Sequence, residues 1–131
     1  MKAYVAASQY DLHRARWAMD ELRLAGIDIT HDWTQEVESN AGKTITDDEC
    51  REAALNDYKG VVNCDVLLVL TPVRRDWGCA MWTELGIALD RHRRIVVVGP
   101  QRNRNIFGRV LCETYETDAE GVDAIVGMLN G

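Results

Sequence analysis

Two short runs constrain this chain more than anything else in it. Val66 to Leu70 (VLLVL) and Ile95 to Val98 (IVVV) are apolar at every position. A strand with one wetted face alternates polar and apolar residues. A run with no polar member must be covered on both faces, as a central strand of a parallel sheet is. Both runs are far too short to span a bilayer, and no longer apolar stretch exists that would do so. The chain is therefore expected to build a sheet with helices on each side.

The intervening segments supply those helices. Lys2 to Ala7 reads as a short buried strand. Asp11 to Ala25 carries Leu12, Ala15, Met19 and Leu22 at helical spacing, with Asp11 as N-cap and Gly26 as the stop. Ile27 to His31 reads as a second strand, and Trp33 to Lys43 as a loop. Thr46 and Glu49 form a capping box that opens a second helix through Val62. Asp65 to Thr71 is the third strand, ended by Pro72. Arg74 to Gly78 reads as a loop, and the third helix runs from about Gly78 to Asp90. Arg91, Arg93 and Arg94 crowd its C-terminal end, where the macrodipole favours positive charge. After the fourth strand, Gly99 to Gly108 reads as a polar loop, Val110 to Cys112 as a short fifth strand, and Asp118 to Leu129 as the closing helix.

Strand and helix alternate throughout, and each parallel crossover must be right-handed. The expected architecture is an α/β, flavodoxin-like or Rossmann-like doubly wound sheet of five parallel strands in the order 2-1-3-4-5. At 131 residues it is a single domain spanning the whole chain. Ligands of such sheets bind beyond the carboxyl ends of the strands, at the switch point between the first and third. The loops after strands one to four are expected to converge there.

Composition narrows the ligand. With 15 basic and 21 acidic residues the net charge is −6, which disfavours a nucleic acid polymer. The small basic clusters, Arg14/Arg16, Arg74/Arg75, Arg91 to Arg94 and Arg102/Arg104, suit one phosphate better than a polyanion. The four cysteines form no C-x-x-C pair and stand at no zinc-ligand spacing from a histidine, so they read as free thiols of a reducing cytoplasm. No targeting segment is visible, and neither a membrane nor a metal or other cofactor is expected. The glycines make neither a G-x-G-x-x-G nor a Walker pattern.

Glu84 is the leading candidate for chemistry. Its helical neighbours are Ala80, Met81, Ile87 and Ala88, so a carboxylate stands on a small, apolar stripe near the expected switch point. Such a group is costly unless it is used or paired, and the plainer alternative is a glutamate snorkelling to water at the edge of the core. Asp57 on the second helix is the next candidate, and Asp76 before the third helix is either a cap or a ligand. Ser8 sits where strand one meets helix one; helix amides there can bind an anion and Arg14 can add charge. Trp33 and Trp77, on loops at the expected cleft, suit base stacking. Trp17 and Trp82 read as packing residues, and His13 and His31 as structural or surface residues.

These residues carry a family resemblance. AYVAAS with Gln9 and Tyr10, NDYKGVVNCDVLLVL (56–70), GCAMWTELGIAL (78–89) and VVVGPQRNRNIF (96–107) stand in order, and together the chain resembles the nucleoside 2-deoxyribosyltransferase superfamily, which includes the nucleoside 5′-monophosphate N-glycosidases. The resemblance implies a double displacement. Glu84 matches the nucleophilic glutamate, which forms a glycosyl ester that water or a second base opens. Asp57 matches the aspartate that orients the sugar or helps protonate the departing base. Asp76, eight positions before Glu84, resembles a sugar-binding aspartate that stands nearer the glutamate in the transferases.

The compact length is closer to the monophosphate hydrolases. By that likeness Ser8, Arg14 and the amides of Gly78 and Cys79 would hold a 5′-phosphate, and Asn103 or Asn105 would reach across a homodimer or higher homo-oligomer. Gln9, Tyr10, Asp32, Trp33 and Trp77 complete the expected small-molecule site. The expected activity is cleavage of the N-glycosidic bond of a nucleotide or nucleoside, with base exchange as a close variant. A non-catalytic nucleotide-binding or sensor module is the alternative on the same fold, and a flavin carrier a weaker one.

Overall fold

The computed structural model describes residues 1–74 and 76–131, so the Arg75 half of the Arg74/Arg75 pair lies outside the described residues. The elements follow in chain order: β1 (Lys2–Ala7), α1 (Leu12–Leu24), β2 (Asp28–Ile29), α2 (Thr34–Ser39), α3 (Asp47–Asn63), β3 (Val66–Leu70), α4 (Cys79–Asp90), β4 (Arg94–Val98), α5 (Ile106–Leu111), β5 (Glu113–Tyr115) and α6 (Asp118–Gly127). One sheet contains all five strands in the order β2-β1-β3-β4-β5, and every pairing is parallel. This is the expected doubly wound fold.

Full coverage explains the apolar runs. Every residue of β3 is buried, as are Ile95 to Val98 of β4 and Ala3 to Ala6 of β1. Helices α1 and α6 pack together on one face of the sheet, and α3 and α4 on the other. Among the described residues no helix is long and apolar enough to cross a membrane. The capping box forms as expected, with Thr46 Oγ1 accepting from Glu49 N and Thr46 N donating to Glu49 Oε1. Gly26 takes a φ of 86° after α1, a conformation that favours glycine.

Several local expectations are corrected. Trp33 to Lys43 is not all loop, because the Asp32 carboxylate accepts from Thr34 N and Thr34 Oγ1 and launches the short helix α2. Val110 to Cys112 is not the fifth strand. Asn105 Oδ1 accepts from the Phe107 and Gly108 amides, capping a helix through Leu111, and the strand begins at Glu113. Strand β2 is shorter than Ile27 to His31. Asp11 makes no capping hydrogen bond; its buried carboxylate lies 3.2 Å from Arg14 instead, while Ser8 caps the single 3-10 turn before α1. The arginines after α4 do more than answer a dipole: Arg91 donates to Tyr58 Oη at 2.8 Å and Arg93 to the Val62 carbonyl at 2.9 Å, lashing the end of α4 to α3.

Candidate active site

In the order β2-β1-β3 the chain winds to one side of β1 and then to the other, which leaves a crevice above the carboxyl ends of β1 and β3. A cavity of about 280 Å³ occupies it, walled by the turn after β1 (Ser8, Gln9, Tyr10), by Trp33 and Val37, and by α3 and α4. A second, open space of about 560 Å³ adjoins it and shares Gln9, Tyr10, Trp33, Val37 and Asp57. The loop after β4 does not reach the cavity. Gln101 instead braces the β3–α4 loop, its amide N donating to Thr71 Oγ1 and its Nε2 to the Pro72 carbonyl.

Glu84 is at the centre. Its helix buries one stripe, Met81, Glu84, Leu85 and Ala88, and the carboxylate is carried inward with the apolar members, leaving the residue 8% exposed. Burial raises its pKa to about 8; the Tyr4 hydroxyl opposes that shift and the Asp57 charge adds to it. Asp57 projects from α3 across the same space. Burial raises its pKa to about 6, against the pull of His31 and with the push of Glu36.

Tyr4, fully buried on β1, joins the two carboxylates. Burial, and then the charges of Glu84 and Asp57, hold its hydroxyl far above the usual tyrosine range, so it remains a proton donor facing both. Its ring fits under α3 only because position 60 is glycine, where a Cβ would stand 2.8 Å from the ring. Of the seven buried polar side-chain atoms left without a hydrogen bond among the described residues, four converge here: Tyr4 Oη, Glu84 Oε2, Asp57 Oδ1 and His31 Nε2. Each such orphan costs about 1–3 kcal/mol in a folded protein, so their convergence makes this cavity the candidate site. Sequence reading missed Tyr4. The available signal was a phenol in the middle of an otherwise aliphatic buried strand.

Asp76 guards the opposite wall. Its carboxylate accepts from the Ser8 hydroxyl and, at 3.2 Å, from the Gly78 amide. The Ser8 hydrogen bond, with backbone help from Gly78 and Trp77, holds its pKa below the usual carboxylate range. Gly78 turns the chain into α4 at a φ of 60°, and Cys79 and Ala80 follow on the rim of the cavity.

Other expected ligands stand elsewhere. Arg14 is held by Asp118 through bonds of 2.8 and 2.9 Å and donates to the Thr71 carbonyl at 2.9 Å, so its guanidinium ties the end of the central strand β3 to α6. Asp32 is taken up by Thr34 and Arg23. Trp33 is buried, with Nε1 donating to the Val5 carbonyl at 2.7 Å; it is a wall of the cavity, not a free stacking plane. Trp77 is 68% exposed beneath the Arg104 guanidinium, in a separate shallow depression with Asn105. Asn103 is exposed, and Asn105 is the α5 cap. His31, read from sequence as structural, faces Asp57 and Glu36 with Nε2 at 3.5 and 3.2 Å.

No family model matches the chain, and no curated protein does. Among solved structures, a CMP N-glycosidase from Clostridium botulinum, BcmB, superposes with a TM-score of 0.57 at 15% identity, covering 95% of this chain and 98% of that one. The likeness extends over the whole fold, and at that identity it is a likeness of fold.

Proposed function

We propose that the chain cleaves the N-glycosidic bond of a nucleoside through an ester on Glu84. The observation that carries this reading is the Glu84 carboxyl itself, buried, with Oε2 unpaired, lining a cavity at the switch point beside a second carboxyl and a phenol. The resemblance of the GCAMWTELGIAL segment and the fold shared with an N-glycosidase support it.

A Glu84 oxygen attacks C1′ as the C1′–N bond breaks, and the bond's electron pair goes to the base. The site's carboxylates stabilise the oxocarbenium-like charge on the sugar. Asp57, raised toward neutrality, gives the departing base its proton. Tyr4 donates to whichever carboxylate is charged and keeps both oriented. Water, or a second base, then opens the ester and returns Glu84.

The same walls favour an uncharged 5′-hydroxyl over a 5′-phosphate. Among the described lining residues, Asp57, Asp76 and Glu84 are carboxylates and none is cationic. Asp76 already occupies the Gly78 amide and the Ser8 hydroxyl, where a phosphate would have to bind.

Incubation with a panel of nucleosides and their 5′-monophosphates, read by chromatography of the free base, tests both statements. We expect base release from a nucleoside, lost by about a thousandfold or more in Glu84→Ala. Tight binding of intact ligand without release would favour a sensor module instead. A preference for monophosphates would overturn the role given to Asp76 and leave the chemistry of Glu84 standing.

A further inference from the structure

Two carboxylates converge on one ring nitrogen at the edge of the cavity. His31 follows β2, and its Nε2 lies 3.2 Å from Glu36 Oε1 on α2 and 3.5 Å from Asp57 Oδ1 on α3. Both Nε2 and Asp57 Oδ1 are buried atoms without a directed hydrogen bond. Glu36 is steadied from behind by Asn56 Nδ2 at 3.4 Å. An imidazole protonated only on Nδ1 would set a lone pair against two anions. The arrangement is favourable when Nε2 carries a proton, and most favourable when the ring is cationic.

The placement continues inward. Asp57 presents its carboxyl to Tyr4, and Tyr4 faces Glu84. Glu36, His31 and Asp57 thus stand in sequence at ion-pair distances from the adjoining open space, which Glu36 lines, to the cavity that holds Glu84. The side chain of His31 is 22% exposed, so the ring can exchange protons with water. Gly60 keeps this packing tight, since a Cβ there would stand 2.9 Å from His31 Cβ. Among the described residues, the charged groups at ion-pair distance from the ring are Glu36 and Asp57, and Tyr4 is the titratable group next along the series.

We propose that His31 is a positioning residue for proton transfer, holding Asp57 through Nε2 and returning to it the proton that Asp57 gives to the leaving base. When the C1′–N bond breaks, the base nitrogen keeps the electron pair and takes the Asp57 proton. The Asp57 carboxylate takes the Nε2 proton, and the neutral imidazole recovers one from solvent, to which the water that opens the ester later releases its own. Once Asp57 has given up its proton, His31 Nε2 at 3.5 Å is the nearest group placed to restore it.

The inference rests on the N-glycosidase reading, and the test separates the two. His31 is titrated by NMR in the unmodified protein, Asp57→Asn and Glu36→Gln. Base release by His31→Gln is measured on the best nucleoside of the panel. A partner substrate whose base departs without needing a proton is measured beside it: 7-methylguanosine for a purine, 5-nitrouridine for a pyrimidine. We expect the His31 ring-nitrogen signals to move in Asp57→Asn, as the loss of a carboxylate facing Nε2 requires. We expect kcat on the ordinary nucleoside to fall by about tenfold or more, with KM unchanged and the partner substrate spared. Equal losses on both substrates, or His31 ring-nitrogen signals indifferent to Asp57→Asn, would overturn the relay alone. Saturation of the His31 signals by one equivalent of Zn²⁺, abolished in Glu36→Gln, would replace it with a metal site. An unmodified protein that releases no base from any nucleoside removes the glycosidase reading and the relay together, even if His31 and Asp57 still titrate as a pair.

Discussion

Glu84 sets a conflict between stability and use. Its pKa of about 8 lies above the ordinary glutamate value of 4.5, so the folded protein holds the proton more tightly than the unfolded chain does. The sign follows from linkage. Near pH 4 both states hold the proton and burial costs little. As the pH rises from the unfolded value through 8, the unfolded chain ionises first and the native state loses relative stability. Glutamine copies the protonated acid without the charge. Glu84→Gln should therefore leave the urea midpoint nearly unchanged at pH 4 and stabilise the protein by on the order of 3 kcal/mol near pH 9. A uniform effect at both pH values would mean that the carboxylate is solvated. At this scale the sequence was informative where a charge broke an apolar pattern, as at Glu84, and silent where a group was apolar by composition and polar by one atom. Tyr4 passed for an ordinary strand residue because its hydroxyl is invisible to periodicity. Trp33 was mistaken for a stacking plane because the bond from its indole to the Val5 carbonyl spans 28 positions.

Elements were legible when they were long and signposted. The capping box before α3, the glycine after α1 and the apolar stripe of α4 each placed a helix within a residue or two. The six-residue helices α2 and α5 were not recognised, because each is held by a single Asp or Asn side chain turning back on its own amides, a signal that also marks ordinary turns. Arg14 shows the same limit in long-range form. Beside Ser8 in sequence it resembles an anion ligand, but its partners Thr71 and Asp118 lie 57 and 104 positions away. Its guanidinium joins α1 to the start of α6 and compensates the buried Asp11 carboxylate. Replacing it by alanine leaves that carboxylate unpaired. We expect a loss of about 2 to 4 kcal/mol in chemical denaturation, with no change in the choice between nucleoside and monophosphate. A changed substrate choice at unaltered stability would restore Arg14 to the site.

At the scale of the whole molecule, strand order was the most legible property, since two fully apolar runs and short crossovers leave few parallel arrangements. Assembly is a different matter. The expected homo-oligomer has a physical motive on α5, where Ile106, Phe107, Val110 and Leu111 all remain more than half exposed. Light scattering should give at least twice the mass of one chain, and a double substitution Ile106→Ser with Val110→Ser should lower it. A monomeric unmodified protein would reject that interface and the partner-subunit role once expected for Asn103 and Asn105. The margins of the sheet carry a further consequence. Strand β2 offers two paired residues and β5 three, with Asp28 and Glu113 among them. A neighbouring unfolded polypeptide finds no long, uncharged template there for adding itself as another strand. Concentrated solutions of the native fold should accordingly resist fibril growth and the binding of amyloid dyes, whatever the chain proves to do with its ligands.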